Sequence, residues 1–383
     1  MTLGVGDWVE VRSKAEILAT LDENGRLEGL PFMPQMTQYC GQRFQVFRRA
    51  GKTCSEVHGP AGVAYVSRRL HDTVHLELRC DGRGYGGCQA GCLIFWKEAW
   101  LKGVGAADTQ EHPEFRSSSA LADAWGCTED RVLAATAHRG PDGDLRYSCQ
   151  ATQLMEATTA LKLWNARQYV EAYRSGNNSL GTVLKAIAYV LYYYGTLARS
   201  PRWGAASRWF YDRFQSVWGG LPFPRKPGKI AGGQTPRLDL DLKPGELVRV
   251  KSYEQILETL NSSAANRGLS FDAELVPYCG KVFRVRTRIE RFVDEKTGKM
   301  LHMRTPAVIL DGVHCQSLYS GQRILCPRAV FLWWREIWLE RVPEGSITWP
   351  GLEREGACQA RASGKLEAAV RLMTVSRDLP DGV

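Results

Sequence analysis

The chain has 383 residues, 44% of them hydrophobic, and 50 Lys and Arg against 41 Asp and Glu give it a net charge of +9. That length exceeds one ordinary core, and the composition excludes a disordered or fibrous chain, so two or three folded domains are expected. Eleven cysteines, an odd number, follow an opening, MTLGVGDWVEVRSKAEIL, with no basic stretch leading into an apolar one; thiols or metal ligands in a cytoplasmic, reducing setting are expected over a disulfide framework.

Residues 8–11, Trp-Val-Glu-Val, alternate as a strand does. Ser13 then stands at an N-cap position before a short helix carrying Ile17, Leu18 and Leu21. After Tyr-Cys-Gly at 39–41 come strands over 43–47 and 74–78, and the Trp-rich stretch ending at Leu101 supplies a fourth. From residue 105 the alternation stops and helix formers dominate, predicting helices over 118–137, 153–173, 179–197 and 202–220. In the third of these, Leu180, Val183, Leu184, Ile187, Leu191 and Tyr194 follow helical spacing after a Ser179 cap. The segment is too short to span a membrane and carries Lys185, so its apolar face calls for cover by the flanking modules. LPFPRKPGKIAGGQTP, 221–236, reads as a Pro/Gly-rich connector.

The chain also matches itself. Residues 6–46 align without a gap on 245–285, so that GDWVEVRSKAEILATL answers GELVRVKSYEQILETL and YCGQRFQV answers YCGKVFRV. A second block pairs Cys88 with Cys326, Trp96 with Trp334, Glu98 with Glu336 and Trp100 with Trp338, while Cys80 and Cys315 correspond approximately. The predicted fold is α+β: two SH3-like small β-barrel modules at 1–104 and 245–343, a helical middle at 105–218, a linker at 219–244 and a tail at 344–383. In this the chain resembles a bacterial family, with no assigned activity, built from paired YCG…FRV and WREIWL blocks around a helical middle. The resemblance covers almost the whole length and implies a bacterial source, but neither a substrate nor a catalytic residue.

Cys54, Cys80, Cys88 and Cys92, with His75 and His71 nearby, supply enough soft ligands for one tetrahedral zinc or an iron–sulfur cluster, and glycines at 82, 84, 86, 87 and 91 would let the loop fold around an ion. The spacing is not that of a standard zinc knuckle, and buried thiols are the competing reading. The second copy has Val293 and Val330 where the first has Cys54 and Cys92, leaving Cys315 and Cys326 with His314 and His302 as a weaker set. Cys40 and Cys279, in identical turns, are expected to be core thiols.

Three roles follow. The leading one is a metal-binding tandem-module protein acting as a binding or accessory component of a biosynthetic pathway, on an anionic ligand or a protein partner. The second is a metalloenzyme using iron or zinc at the cysteine-rich site, or at His75 and Glu77 with His138. The third is a nucleic-acid binder using Trp164, Trp203, Trp209 and Trp218 interleaved with Arg199, Arg202, Arg208 and Arg213, although buried packing of the rings against the arginines is the favoured reading of these residues. No phosphate loop, nucleophile elbow or dinucleotide fingerprint occurs. Glu98 and Glu336 are expected to tether their basic neighbours, Lys97 or Arg335, rather than to act as acids.

Overall fold

A computed structural model describes residues 3–59, 62–104, 126–197, 201–217 and 219–343. Met1–Glu340 forms one compact unit and Arg341–Val383 a second.

The first copy opens with β1 (Trp8–Val11) and the five-residue helix α1 (Lys14–Leu18). Ser13 caps α1: its Oγ accepts from the Glu16 N–H, and Glu16 Oε2 accepts from the Ser13 N–H at 3.0 Å. Such a reciprocal cap is worth about 1 kcal/mol, much of what holds so short a helix. The chain then runs through β2 (Arg43–Gln45), β3 (Arg48–Arg49), the hairpin β4 (Lys52–Gly59) and β5 (Gly62–Arg69), then β6 (Thr73–His75), β7 (Trp96–Lys97) and β8 (Leu101–Gly103). β1 lies between β8 and β2, and β6 between β3 and β7. Between these two sheets the strand kinks at Val46 and Phe47, whose N–H groups turn to Asp7 and His75 respectively.

The second copy repeats this path. Its strands are β9 (Leu247–Val250), β10 (Val282–Val293), β11 (Met300–His314), β12 (Phe331–Trp334) and β13 (Leu339–Arg341), hydrogen-bonded in the order β12-β11-β10-β9-β13. Matched residues make matched contacts. Trp100 Nε1–H donates to Thr20 Oγ1 at 3.1 Å and Trp338 Nε1–H to Thr259 Oγ1 at 3.0 Å. Phe32 meets Trp100 edge-on at 5.3 Å and Phe271 meets Trp338 at 5.2 Å. Gly41 and Gly280 turn at φ 75° and 76°, which a glycine adopts without strain. The sheets remain open: among the described residues no strand pairing closes a barrel.

Between the copies the sequence expectation needs correction. Residues 118–125 lie outside the described residues. Of the remainder, α2 (Glu129–Ala134), α3 (Arg167–Arg174), α4 (Leu180–Tyr192) and α5 (Pro201–Val217) are helical, but 137–139 and 145–147 form a hairpin. The helix expected over 153–173 starts only at Arg167, because Thr159 and Ala160 pair with β5 and Arg68 holds the Thr158 carbonyl and hydroxyl. Two adjacent β-branched threonines favour that edge strand over a helix. The connector is also built in, with Phe223 and Leu242 buried.

The feature that positions the site is an exchange of arms. The hairpin β4–β5 of the first copy reaches the 322–328 loop of the second: Lys52 Nζ donates to Ile324 O at 2.6 Å, Ser67 Oγ to Gln322 O, and Arg328 Nη1 to Cys54 O at 2.8 Å. Reciprocally, β10 of the second copy lies on the glycine-rich loop of the first, where Gln89 Oε1 accepts from the N–H groups of Glu290 and Arg291 at 2.8 and 3.0 Å.

Candidate functional site

The loop from Cys80 to Cys92 is held at its base by the Cys80 N–H, which donates to the Cys92 carbonyl at 2.8 Å. Gly82 turns inside it at φ +72°, with a would-be Cβ only 1.9 Å from the Cys88 carbonyl oxygen, so no other residue fits. Cys80, Cys88 and Cys92 thereby line one cavity of about 30 Å³, together with a fourth sulfur, Cys149. Gln150 brings Cys149 there. Its buried amide donates to the Phe95 carbonyl at 2.8 Å and accepts from the Phe95 N–H at 2.9 Å.

Three of the four sulfurs face N–H donors. Gln35 Nε2–H points to Cys80 Sγ at 3.2 Å, and the Val293 N–H, from the second copy, to Cys88 Sγ at 3.3 Å. The Gly82 N–H favours a thiolate at Cys80, and those of Thr152 and Ala151 do so at Cys149. Burial nevertheless dominates, pushing Cys80 up to about 12 and raising Cys92 and Cys149, so without a compensating cation these thiols stay protonated at neutral pH. Among the described residues no group of three or more His, Cys, Asp or Glu side chains is already arranged to hold a metal ion.

Cys54 and His75 do not line this cavity. Cys54, on the exchanged hairpin, is buried beside Cys326 of the second copy, whose hydrogen bond, followed by burial, raises its thiol well above the usual range. Cys54 is aligned with Val293, so the two sit at reciprocal positions, each beside the cysteine loop of the other copy. His75 is fully buried; its Nδ1–H donates to the Ile94 carbonyl at 2.8 Å, Nε2 has no hydrogen-bond partner among the described residues, and burial pushes its pKa down to about 3. Glu77 is exposed in a left-handed turn beyond the strand and His138 is exposed on the 137–147 hairpin, so the two-histidine, one-carboxylate set does not assemble. Cys40 and Cys279 pack at the edges of the two cores.

The tethers differ from expectation. Glu98 pairs with Arg49 and Glu336 with Arg288, both at 2.7 Å, while Lys97 meets Glu28 and Arg335 donates to the carbonyls of Asn266 and Arg267. Glu98 and Glu336 each begin a single 3-10 turn just past Lys97 or Arg335, and from there each carboxylate reaches an arginine on another strand.

Lys52, 8% exposed, has no carboxylate partner among the described residues; it donates to Gln168 Oε1 and Ile324 O, both at 2.6 Å. Burial lowers its pKa to about 8 from 10.5. Between those values the unfolded chain binds more protons than the folded one, so this group makes stability rise with pH. Urea unfolding at pH 7.5 and 10.5 is expected to show the unmodified protein gaining on Lys52→Met by on the order of 2–3 kcal/mol. Parallel pH profiles would contradict it.

No family model matches the chain, and no curated protein is significantly similar to it.

Proposed function

We propose that this is a metal-binding protein in which Cys80, Cys88, Cys92 and Cys149 hold one zinc ion, clasping the glycine-rich loop of the first copy to the middle region at Cys149. The observation that carries the reading is that four cysteines line one small cavity, with N–H donors on three of the sulfurs. Such donors stabilise thiolate charge and orient metal ligands from outside. Zinc is the ion that four thiolates hold in a closed tetrahedral structural site. Zinc uptake releases the thiol protons and supplies the positive charge that burial otherwise denies these thiolates, drawing the sulfurs together.

The role is structural and accessory. The strand order β12-β11-β10-β9-β13, with a single helical turn at Glu336–Trp338 before the last strand, supports the SH3-like reading of the modules. It favours a scaffold that binds a partner within a biosynthetic pathway over a catalyst.

The test is metal analysis of protein purified anaerobically, alongside Cys149→Ser and Cys54→Ser. About one zinc per chain is expected, lost in Cys149→Ser and kept in Cys54→Ser. Gln35→Leu, which removes one N–H···S contact, is expected to weaken zinc about 10–100-fold. Metal-free protein, or loss of zinc in Cys54→Ser alone, would overturn the assignment.

A further inference from the structure

The α4–α5 hairpin does not obtain the cover its sequence calls for. On α4, Val183, Ala186 and Tyr189 are buried, with Val183 and Ala186 packed on Ile324 and Leu325. Leu180, Leu184 and Leu191, on a second stripe at helical spacing, are exposed, Leu191 by 68%. On α5, Trp209, Phe210, Phe214 and Val217 are exposed by 56–70%. Of the eighteen large apolar side chains exposed among the described residues, eight lie between Leu180 and Val217. Scattered single exposures are normal; a concentration of this kind marks a contact surface.

The charges on the hairpin are one-sided. Lys185, Arg208 and Arg213 have no acidic partner among the described residues, and the carboxylate of α5, Asp212, is neutralised by Lys226 at 2.8 Å. A second copy of the same face would set these cations against one another, which disfavours self-association. Nucleic acid would use the arginines and rings but leave Leu180, Leu184, Leu191 and Val217 in water. A lipid surface uses both sets: the apolar side chains enter the boundary between headgroups and acyl chains, and the cations meet anionic headgroups. No described helix is long and apolar enough to cross a membrane, so this contact is peripheral.

The geometry points to a peripheral membrane-docking surface on the α4–α5 hairpin, selective for anionic lipid. This inference is independent of the metal assignment. The experiment is flotation of the full chain with phosphatidylcholine vesicles, with and without phosphatidylglycerol, together with Trp fluorescence. Binding with a blue shift is expected only when phosphatidylglycerol is present. The pair Lys185→Glu and Arg213→Glu is expected to weaken it roughly tenfold or more, at about 1 kcal/mol per charge near the surface. Phe210→Ser with Phe214→Ser is expected to abolish the blue shift while circular dichroism stays unchanged, because both side chains already face solvent. The proposal is overturned by absence of binding, by equal binding to neutral vesicles, by a dimer in light scattering that the Phe210→Ser, Phe214→Ser pair dissolves, or by binding to single-stranded DNA in place of vesicles.

Discussion

Replacing Gly82 with alanine is expected to cost about 2–4 kcal/mol and to abolish metal binding. The residue sits at φ +72°, where a side chain adds about 1–3 kcal/mol of backbone strain. Its new methyl would stand 1.9 Å from the carbonyl oxygen of Cys88, a backbone atom that cannot swing aside as a side chain would. Relief requires the loop to open, and opening moves Cys80 and Cys88 apart. Gly143 is the internal control. It has φ +80° but nothing within 4 Å of a built Cβ, so Gly143→Ala carries the strain without the collision. Chemical denaturation of both variants, with zinc content measured in parallel, separates the two effects. Equal losses of stability, with zinc retained in both, would show that the loop accommodates the methyl group.

Arg328→Ala is expected to be the most damaging single change outside the cysteine loop, at about 3–5 kcal/mol. This guanidinium is 4% exposed, pairs with Glu295 at 2.5 Å and donates to the Cys54 carbonyl at 2.8 Å. It therefore ties the loop of the second copy to the arm of the first. Truncation leaves a partly buried carboxylate and a carbonyl without their partner. In the double variant Arg328→Ala, Glu295→Ala the second change should cost much less than it does alone, since the stranded charge is gone. A double-mutant cycle by urea unfolding reads this directly; strict additivity would mean that the pair contributes nothing.

What the sequence revealed was local. Ser13 and the aligned Ser252 occupy the N-cap positions that the sequence marks, and each caps its helix through contacts within one turn. The alternation at 8–11 and 247–250 likewise specifies strands with those bounds. The paired Trp endings, buried in both copies, follow from the same offset. The exchange of arms was not legible, because a repeat defines a unit without saying against which unit its hairpin packs. Cys54 belongs to the first module in sequence and to the cysteine loop of the second in space. Cys149 was missed for a related reason: it is a lone cysteine between two of the predicted helices, placed by the burial of Gln150 against Phe95, and no spacing advertises such a contact. The exposed rings of Trp164 and Trp209 also depart from the packing that composition favours.

The proposed centre joins the sulfurs of Cys80, Cys88, Cys92 and Cys149. X-ray absorption at the zinc edge on the purified, zinc-loaded chain tests it most directly. Four sulfurs at about 2.3 Å with no nitrogen or oxygen ligand are expected around the zinc. A shell with two or fewer sulfurs, or one completed by imidazole nitrogen as His75 would supply, would contradict it.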